Sequence, residues 1–502
     1  MKVLSVTSEL FPLVKTGGLA DVTGALPKAL STHGVETRTL LPGYPRVLER
    51  LGDASVLAEL TLLGVKCRLL CSEVEALELY VLDSPDLYDR RGGLYVDENG
   101  FDYPDNWKRF AALSLAGALL ADGELDPWRP HVVHAHDWQA AMTPVYLRHK
   151  LESTTPTMLT IHNLAFQGQF SFERLGDLQL PSKSYDIGCL EYYGSASFLK
   201  AGIQTADIVT TVSPTYAREI LSETLGMGME GVLRANRSKL KGIVNGIDTE
   251  VWNPAKDSCL VATFDTEKLT RRALNRQHLT KLFDFGNPQG PVFAVVSRLT
   301  WQKGIDLLIE AVPHLVQAGG RLIVCGQGDR DLQDGLANLA KEYPEKVAVS
   351  IGYNEGLAHL IFGGSDFLIQ PSRFEPCGLT QLYALRYGAI PIVGRTGGLS
   401  ETIIDANDAA TAIETATGIQ FHPVNTDELK HAIDRAFEIH ENHESMRKLQ
   451  RHGMSADFTW QCSARRYARM FHEMSRLSPR IVPLSVPPVA RRLQTSTKAS
   501  AG

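Results

Sequence analysis

The chain is predicted to be an α/β protein built on two parallel sheets, each covered by helices on both faces. Three observations predict it. Short β-branched or apolar runs alternate with helix-length segments throughout the sequence, as expected of βα units whose strands are buried on both sides. At 502 residues the chain is longer than one hydrophobic core ordinarily serves. A strand-turn-helix signature, Thr16-Gly17-Gly18-Leu19, returns in the other half as Thr396-Gly397-Gly398-Leu399. Either a common connector recurs by chance, or each half brings a glycine loop to a shared cleft.

The strand runs fall at 2–6, 131–134, 158–161, 208–212, 292–297, 321–325, 367–369 and 390–393. Asn245-Gly246-Ile247-Asp248 and Asn253-Pro254 supply turn chemistry near the midpoint, which divides the chain into 1–248 and 249–457. The stretch from Trp460 through Met474 reads as one amphipathic helix, assigned to a segment 458–477. From 478 to 502 the sequence is rich in Pro, Ser, Thr and Arg without periodicity, and a disordered tail is expected.

Composition excludes several classes. With 51 Lys+Arg against 57 Asp+Glu the formal charge is −6, which offers no global attraction for nucleic acid or an anionic membrane. Seven scattered cysteines do not suggest a disulfide framework, and a reducing compartment fits. The first residues run straight into a strand pattern without the apolar region of a signal peptide. No run approaches the ~20 apolar residues that span a bilayer. A cytoplasmic protein is expected.

Three segments carry the chemistry, and each follows a strand. Lys15-Thr16-Gly17-Gly18-Leu19-Ala20-Asp21-Val22 opens a helix; glycines there let backbone N–H groups approach a ligand, and a helix N-terminus favours an anion. Ser297-Arg298-Leu299-Thr300-Trp301-Gln302-Lys303-Gly304 places two cations before a helix pattern. Cations oppose the dipole at that end, so a bound diphosphate explains them better than a solvated helix start. In the third, Gln370 through Gln381, Glu375 sits between a proline-stiffened turn and a helix start near Gly378. A carboxylate there accepts hydrogen bonds from sugar hydroxyls, while the N–H groups of Gly378, Leu379 and Thr380 face phosphate; alternatively Glu375 merely caps the helix. Cys377 has no identifiable histidine to activate it and is read as a lining residue.

Two strands end in histidines. His131-Val132-Val133-His134-Ala135-His136-Asp137-Trp138 sets His134 and His136 on one strand face, and Ile161-His162-Asn163 ends another. No further spaced ligands accompany them, so no metal is expected. Asp329-Arg330-Asp331 resembles an Asp-x-Asp metal motif but better marks a helix start, where acids suit the dipole. Gly326-Gln327-Gly328 lacks the third glycine of a dinucleotide fingerprint, and Cys67-x-x-x-Cys71 has no second pair for zinc.

Together these segments, with Asn245–Asp248, Arg395–Leu399, Tyr103-Pro104-Asp105-Asn106 and Asp457-Phe458-Thr459-Trp460, resemble the bacterial glycogen synthases and plastid starch synthases. The resemblance covers nearly the whole chain to about Met474. It implies the GT-B architecture, two Rossmann-like domains facing across a deep cleft, with the last helix crossing back to the first domain. It implies ADP-glucose as donor, the non-reducing end of an α-1,4-glucan such as glycogen as acceptor, and retention of configuration without a cofactor or metal. By the same resemblance Lys15, Gly17, Gly18, Asp21 and Asn245 belong to the substrate site, with Cys377, Gly378, Leu379 and Thr380. Arg298 and Lys303 would bind the diphosphate, Glu375 would contact the glucose, and Asp137 and His162 would flank the reacting centre. Gln139, Ala141 and Gly394 depart from the family pattern. Other readings are a UDP-glucose-dependent or sucrose-forming transferase, or a glucan- or nucleotide-sugar-binding protein without catalysis.

Overall fold

In the computed structural model, residues 1–173, 175–352 and 354–477 are described; the predicted tail lies outside them. The first sheet holds β1 (Lys2–Val6), β2 (Glu36–Pro42), β3 (Ser55–Leu62), β4 (Val65–Val74), β5 (Leu77–Asp83), β6 (Val132–His136) and β7 (Thr157–Ile161). A small antiparallel sheet, β8 (Gln169–Ser171), β9 (Glu191–Tyr192) and β10 (Ser195–Ser197), intervenes. The strands β11 (Ile208–Thr211) and β12 (Leu240–Gly242) complete the first sheet, in the order β12-β11-β7-β6-β1-β2-β5-β4-β3. The second sheet holds β13 (Val292–Val296), β14 (Arg321–Gly326), β15 (Val347–Ile351), β16 (Phe367–Gln370), β17 (Ile390–Gly394) and β18 (Ile419–Phe421), ordered β15-β14-β13-β16-β17-β18. All its pairings are parallel.

The first sheet is parallel except at one edge, where β3, β4 and β5 run antiparallel, a correction to the purely parallel expectation. In β4 burial alternates, with Val65, Cys67 and Leu69 inside and Lys66 and Arg68 outside, as in a sheet edge with one solvated face. Its two-residue turns, Leu63-Gly64 and Glu75-Ala76, have positive φ at every position, the backbone that suits tight hairpins. Only one of those four residues is a glycine, so the usual sequence signal was nearly absent.

Strands β1, β6 and β7 in the first sheet and β13, β16 and β17 in the second are apolar and largely buried, since helices cover both faces. The chain passes between halves near 245–247 and again at 457–460. There the Ile247 N–H donates to the Phe458 carbonyl at 2.8 Å. The helix Trp460–Leu477 then packs Ala464, Tyr467 and Phe471 against Val3, Val22, Val132 and Met158 of the first half. Phe471 is fully buried; its truncation to alanine is expected to cost about 3–5 kcal/mol. No described helix is long and apolar enough to cross a membrane.

Candidate active site

Chain order reverses beside β1 in the first sheet and beside β13 in the second. Ligands in open α/β sheets bind outside the carboxyl ends of strands at such points. A cleft of about 2150 Å³ opens there, lined from both halves. Every site residue predicted above lines it: Lys15, Gly17, Gly18, Asp21, Asp137, His162 and Asn245 from one side, Arg298, Lys303, Glu375, Cys377, Gly378, Leu379 and Thr380 from the other.

On the first wall the loop after β1 is tied down by Glu9. Its carboxylate accepts from the N–H of Thr16 at 2.7 Å, the N–H of Gly17 at 3.2 Å, the Thr16 hydroxyl and the Tyr95 hydroxyl at 2.6 Å. Gly18 begins the helix Gly18–Ser31, and a Cβ on it would lie 3.6 Å from Leu379 of the opposite wall. Lys15 donates to Asp21 at 2.7 Å; burial raises the Asp21 pKa against the pull of that lysine. The other glycine pair behaves differently. Gly397 and Gly398 do not line the cleft but pack behind the backbone of Glu375 and Cys377, so the sequence echo marks two similar connectors in unlike roles.

Asp137 directly follows β6 with φ +55, a left-handed backbone that Asp and Asn tolerate better than most residues. This turn aims the carboxylate across to β7, where Oδ1 accepts the His162 N–H at 2.7 Å. Burial pushes the Asp137 carboxyl up to about 7, although backbone N–H groups of His162 and Asn163 pull the other way. His162 Nε2 lies 3.0 Å from His136 Nδ1, and His136 packs on His134 with ring centroids 4.0 Å apart. Burial lowers His134 and His162 to about 3 and His136 well below its ordinary value. All three are neutral near pH 7, so His162 offers the cleft hydrogen bonding without charge.

The second wall carries the cations. Arg298, in the loop after β13, is exposed to the cleft and makes no ion pair or side-chain hydrogen bond among the described residues. Lys303 lies in a single 3-10 turn before the helix Ile305–Gln317. It is ion-paired with Glu375 Oε2, which also accepts the Ser372 hydroxyl at 3.1 Å. The predicted diphosphate lysine and glucose carboxylate therefore touch each other. Gly304, with φ +68, allows this approach: a Cβ there would collide with the Pro371 carbonyl oxygen. Cys377 is buried and its thiol is pushed up to about 12, which makes it inert as a nucleophile. Helix Thr380–Arg386 begins two residues beyond Gly378, itself at φ +73.

Sequence reasoning missed Glu9 and Tyr95, 86 residues apart. An acid just beyond an apolar strand was a visible signal for Glu9; nothing local marks Tyr95 as its partner. Among the described residues one group has three metal-type side chains together, Asp257, Cys259 and His359, with donor atoms within 4.8 Å of one another. It lies outside the cleft lining, and Asp257 Oδ2 already bonds His359 Nδ1 at 2.6 Å and the Tyr387 hydroxyl at 2.5 Å.

Residues 2–235 match the model of the starch synthase catalytic domain, and 282–452 that of glycosyl transferases group 1. Glycogen synthase 2 of Rhizobium meliloti is 52% identical over 96% of this chain and 99% of its own length. Glycogen synthase 1 of Rhizobium radiobacter is 53% identical over 94% and 99%. The chain belongs to the glycogen synthase family. The catalytic domain of starch synthase IV from Arabidopsis thaliana, solved with ADP and acarbose, superposes with a TM-score of 0.86 at 30% identity, covering 95% of this chain and 99% of that one. A sucrose-phosphate synthase from Thermosynechococcus elongatus, at 16% identity and a TM-score of 0.58, shares the GT-B fold. In this glycogen synthase cleft the two cations, the neutral histidine and the buried carboxylates all lie where GT-B sheets present their loops.

Proposed function

We propose that the chain transfers glucose from ADP-glucose to the non-reducing end of an α-1,4-glucan with retention of configuration, in glycogen synthesis. The observation that carries this reading is the second wall: Arg298, unpaired among the described residues, faces the cleft beside the largely buried Lys303–Glu375 pair, within a chain about half identical to named glycogen synthases over nearly its full length. ADP in the related Arabidopsis structure supports a nucleoside diphosphate as leaving group.

When the bond between the anomeric carbon and the β-phosphate oxygen breaks, negative charge grows on that phosphate. Arg298 and Lys303 stabilise it most in the transition state, where water is excluded. The acceptor hydroxyl oxygen bonds to the anomeric carbon from the same face, and its proton passes to the departing phosphate. Glu375 suits this route better than a covalent one, because its Oε2 is already held by Lys303 and Ser372. Asp137, with one oxygen on the His162 N–H, holds the loop beside the reacting carbon, and neutral His162 donates or accepts a hydrogen bond at a sugar hydroxyl.

The deciding experiment is incubation with radiolabelled ADP-glucose and glycogen, followed by linkage analysis. New α-1,4 bonds are expected. Clear preference for UDP-glucose in a parallel assay refutes the donor assignment, and glucan binding without elongation refutes catalysis.

A further inference from the structure

We infer that Glu219 is a positioning residue through which the first half of the chain sets the backbone of the Glu375 loop in the second. It is the last residue of the helix Pro214–Glu219, which follows β11 and is capped by the Ser213 hydroxyl accepting the Tyr216 N–H at 3.0 Å. Its Oε1 reaches across to the turn after β17, where Thr396 leads into the short helix Gly397–Thr402, accepting the Gly397 N–H at 2.9 Å and the Thr396 hydroxyl at 3.3 Å. The next N–H, that of Gly398, donates to the Glu375 carbonyl at 2.9 Å. Two consecutive amides thus link a carboxylate of one half to the main chain of the residue that grips Lys303 in the other.

The glycines make this linkage tight. Gly397 has φ +44, and a Cβ on it would collide with the Glu375 carbonyl oxygen; one on Gly398 would collide with the Cys377 carbonyl. The start of this helix therefore lies flush against the Glu375–Cys377 backbone, with no slack to absorb a shift. Among the described residues Glu219 Oε2 is buried without a hydrogen-bond partner, so there this carboxylate is held by its Oε1 contacts. Charge-assisted bonds from a carboxylate to backbone N–H are stronger than neutral ones. The neighbouring Arg218–Glu401 pair, at 3.7 Å with Arg218 mostly exposed, adds little. When the halves move relative to one another, Glu219 carries that movement into the loop that places Lys303 against the leaving phosphate.

The inference rests on the transfer reaction proposed above, and the test separates the two by adding a measurement that needs no turnover. Wild type, Glu219→Ala and Glu219→Gln are compared for kcat, for ADP affinity and for amide hydrogen exchange in the 374–380 segment. Loss of one charge-assisted bond that matters in the reacting state should lower kcat of Glu219→Ala about tenfold. The glutamine carbonyl can still accept from Gly397, so Glu219→Gln should stay within about threefold of wild type. ADP affinity should change little, since Arg298 and Lys303 remain. Exchange in 374–380 should quicken in Glu219→Ala but not in Glu219→Gln. Unaltered exchange in the alanine variant overturns the coupling whether or not the wild type is active. So does a glutamine variant as slow as alanine, or a loss confined to ADP affinity.

Discussion

Replacing Asp137 with asparagine isolates the price of one buried charge. Asn tolerates the left-handed backbone at φ +55, and its side-chain carbonyl can keep the 2.7 Å bond from the His162 N–H. Only the ionisation is removed. The native carboxyl titrates near 7 against an ordinary 3.8, so between those values the folded state holds a proton that the unfolded chain has released. Stability from this group is therefore greatest below about 3.8 and falls as pH rises to about 7. About three pKa units at 1.36 kcal/mol each give about 4 kcal/mol of cost when both states are ionised. Asp137→Asn should exceed wild type by about that much in denaturant unfolding at pH 8, and by about 2 kcal/mol at pH 5. Its kcat should fall at least ~100-fold, because a group at the reacting centre is lost. Equal stability at pH 8, or an advantage that does not shrink on acidification, refutes the argument.

Arg298→Ala should lower kcat at least ~100-fold with an unchanged unfolding midpoint, since Arg298 is exposed and makes no ion pair among the described residues; near-normal turnover contradicts its role. Lys303→Ala should lose similar activity and also stability, because it leaves the buried Glu375 carboxylate without its cation; Lys303→Ala with wild-type stability would show that pair to be loose. EDTA should leave transfer unchanged, and Mg²⁺-reversible inhibition would restore the metal reading of Asp329 and Asp331. His134, His136 and His162 titrate below their ordinary value of 6.5, so the folded state binds fewer protons and their contribution is lost as pH falls below about 6.5. Wild type should be less stable at pH 5 than at pH 7, and the drop should be larger in Asp137→Asn.

The βα strands around the site were legible because burial on both faces forces continuous apolar runs, as in β1, β13 and β17. The antiparallel edge was not, because its turns are mostly made by residues that locally signal nothing, such as Glu75 and Ala76. Arg298, Lys303 and Glu375 were visible as charges out of place after buried strands. Their pairing was not: the Lys303–Glu375 contact spans 72 positions and depends on Gly304 letting two loops touch. Tyr95 and Glu219 escaped for the same reason, since each works through a partner distant in sequence.

The return of the Trp460–Leu477 helix to Val3, Val22 and Val132 has a bearing on biosynthesis. While the ribosome is still making the second half, the emerging amino-terminal portion exposes an oily strip awaiting a segment not yet translated. Fragments ending at residue 457 should consequently be sticky and prone to chaperone capture, and soluble expression of the leading portion should require supplying the closing helix in trans or by fusion.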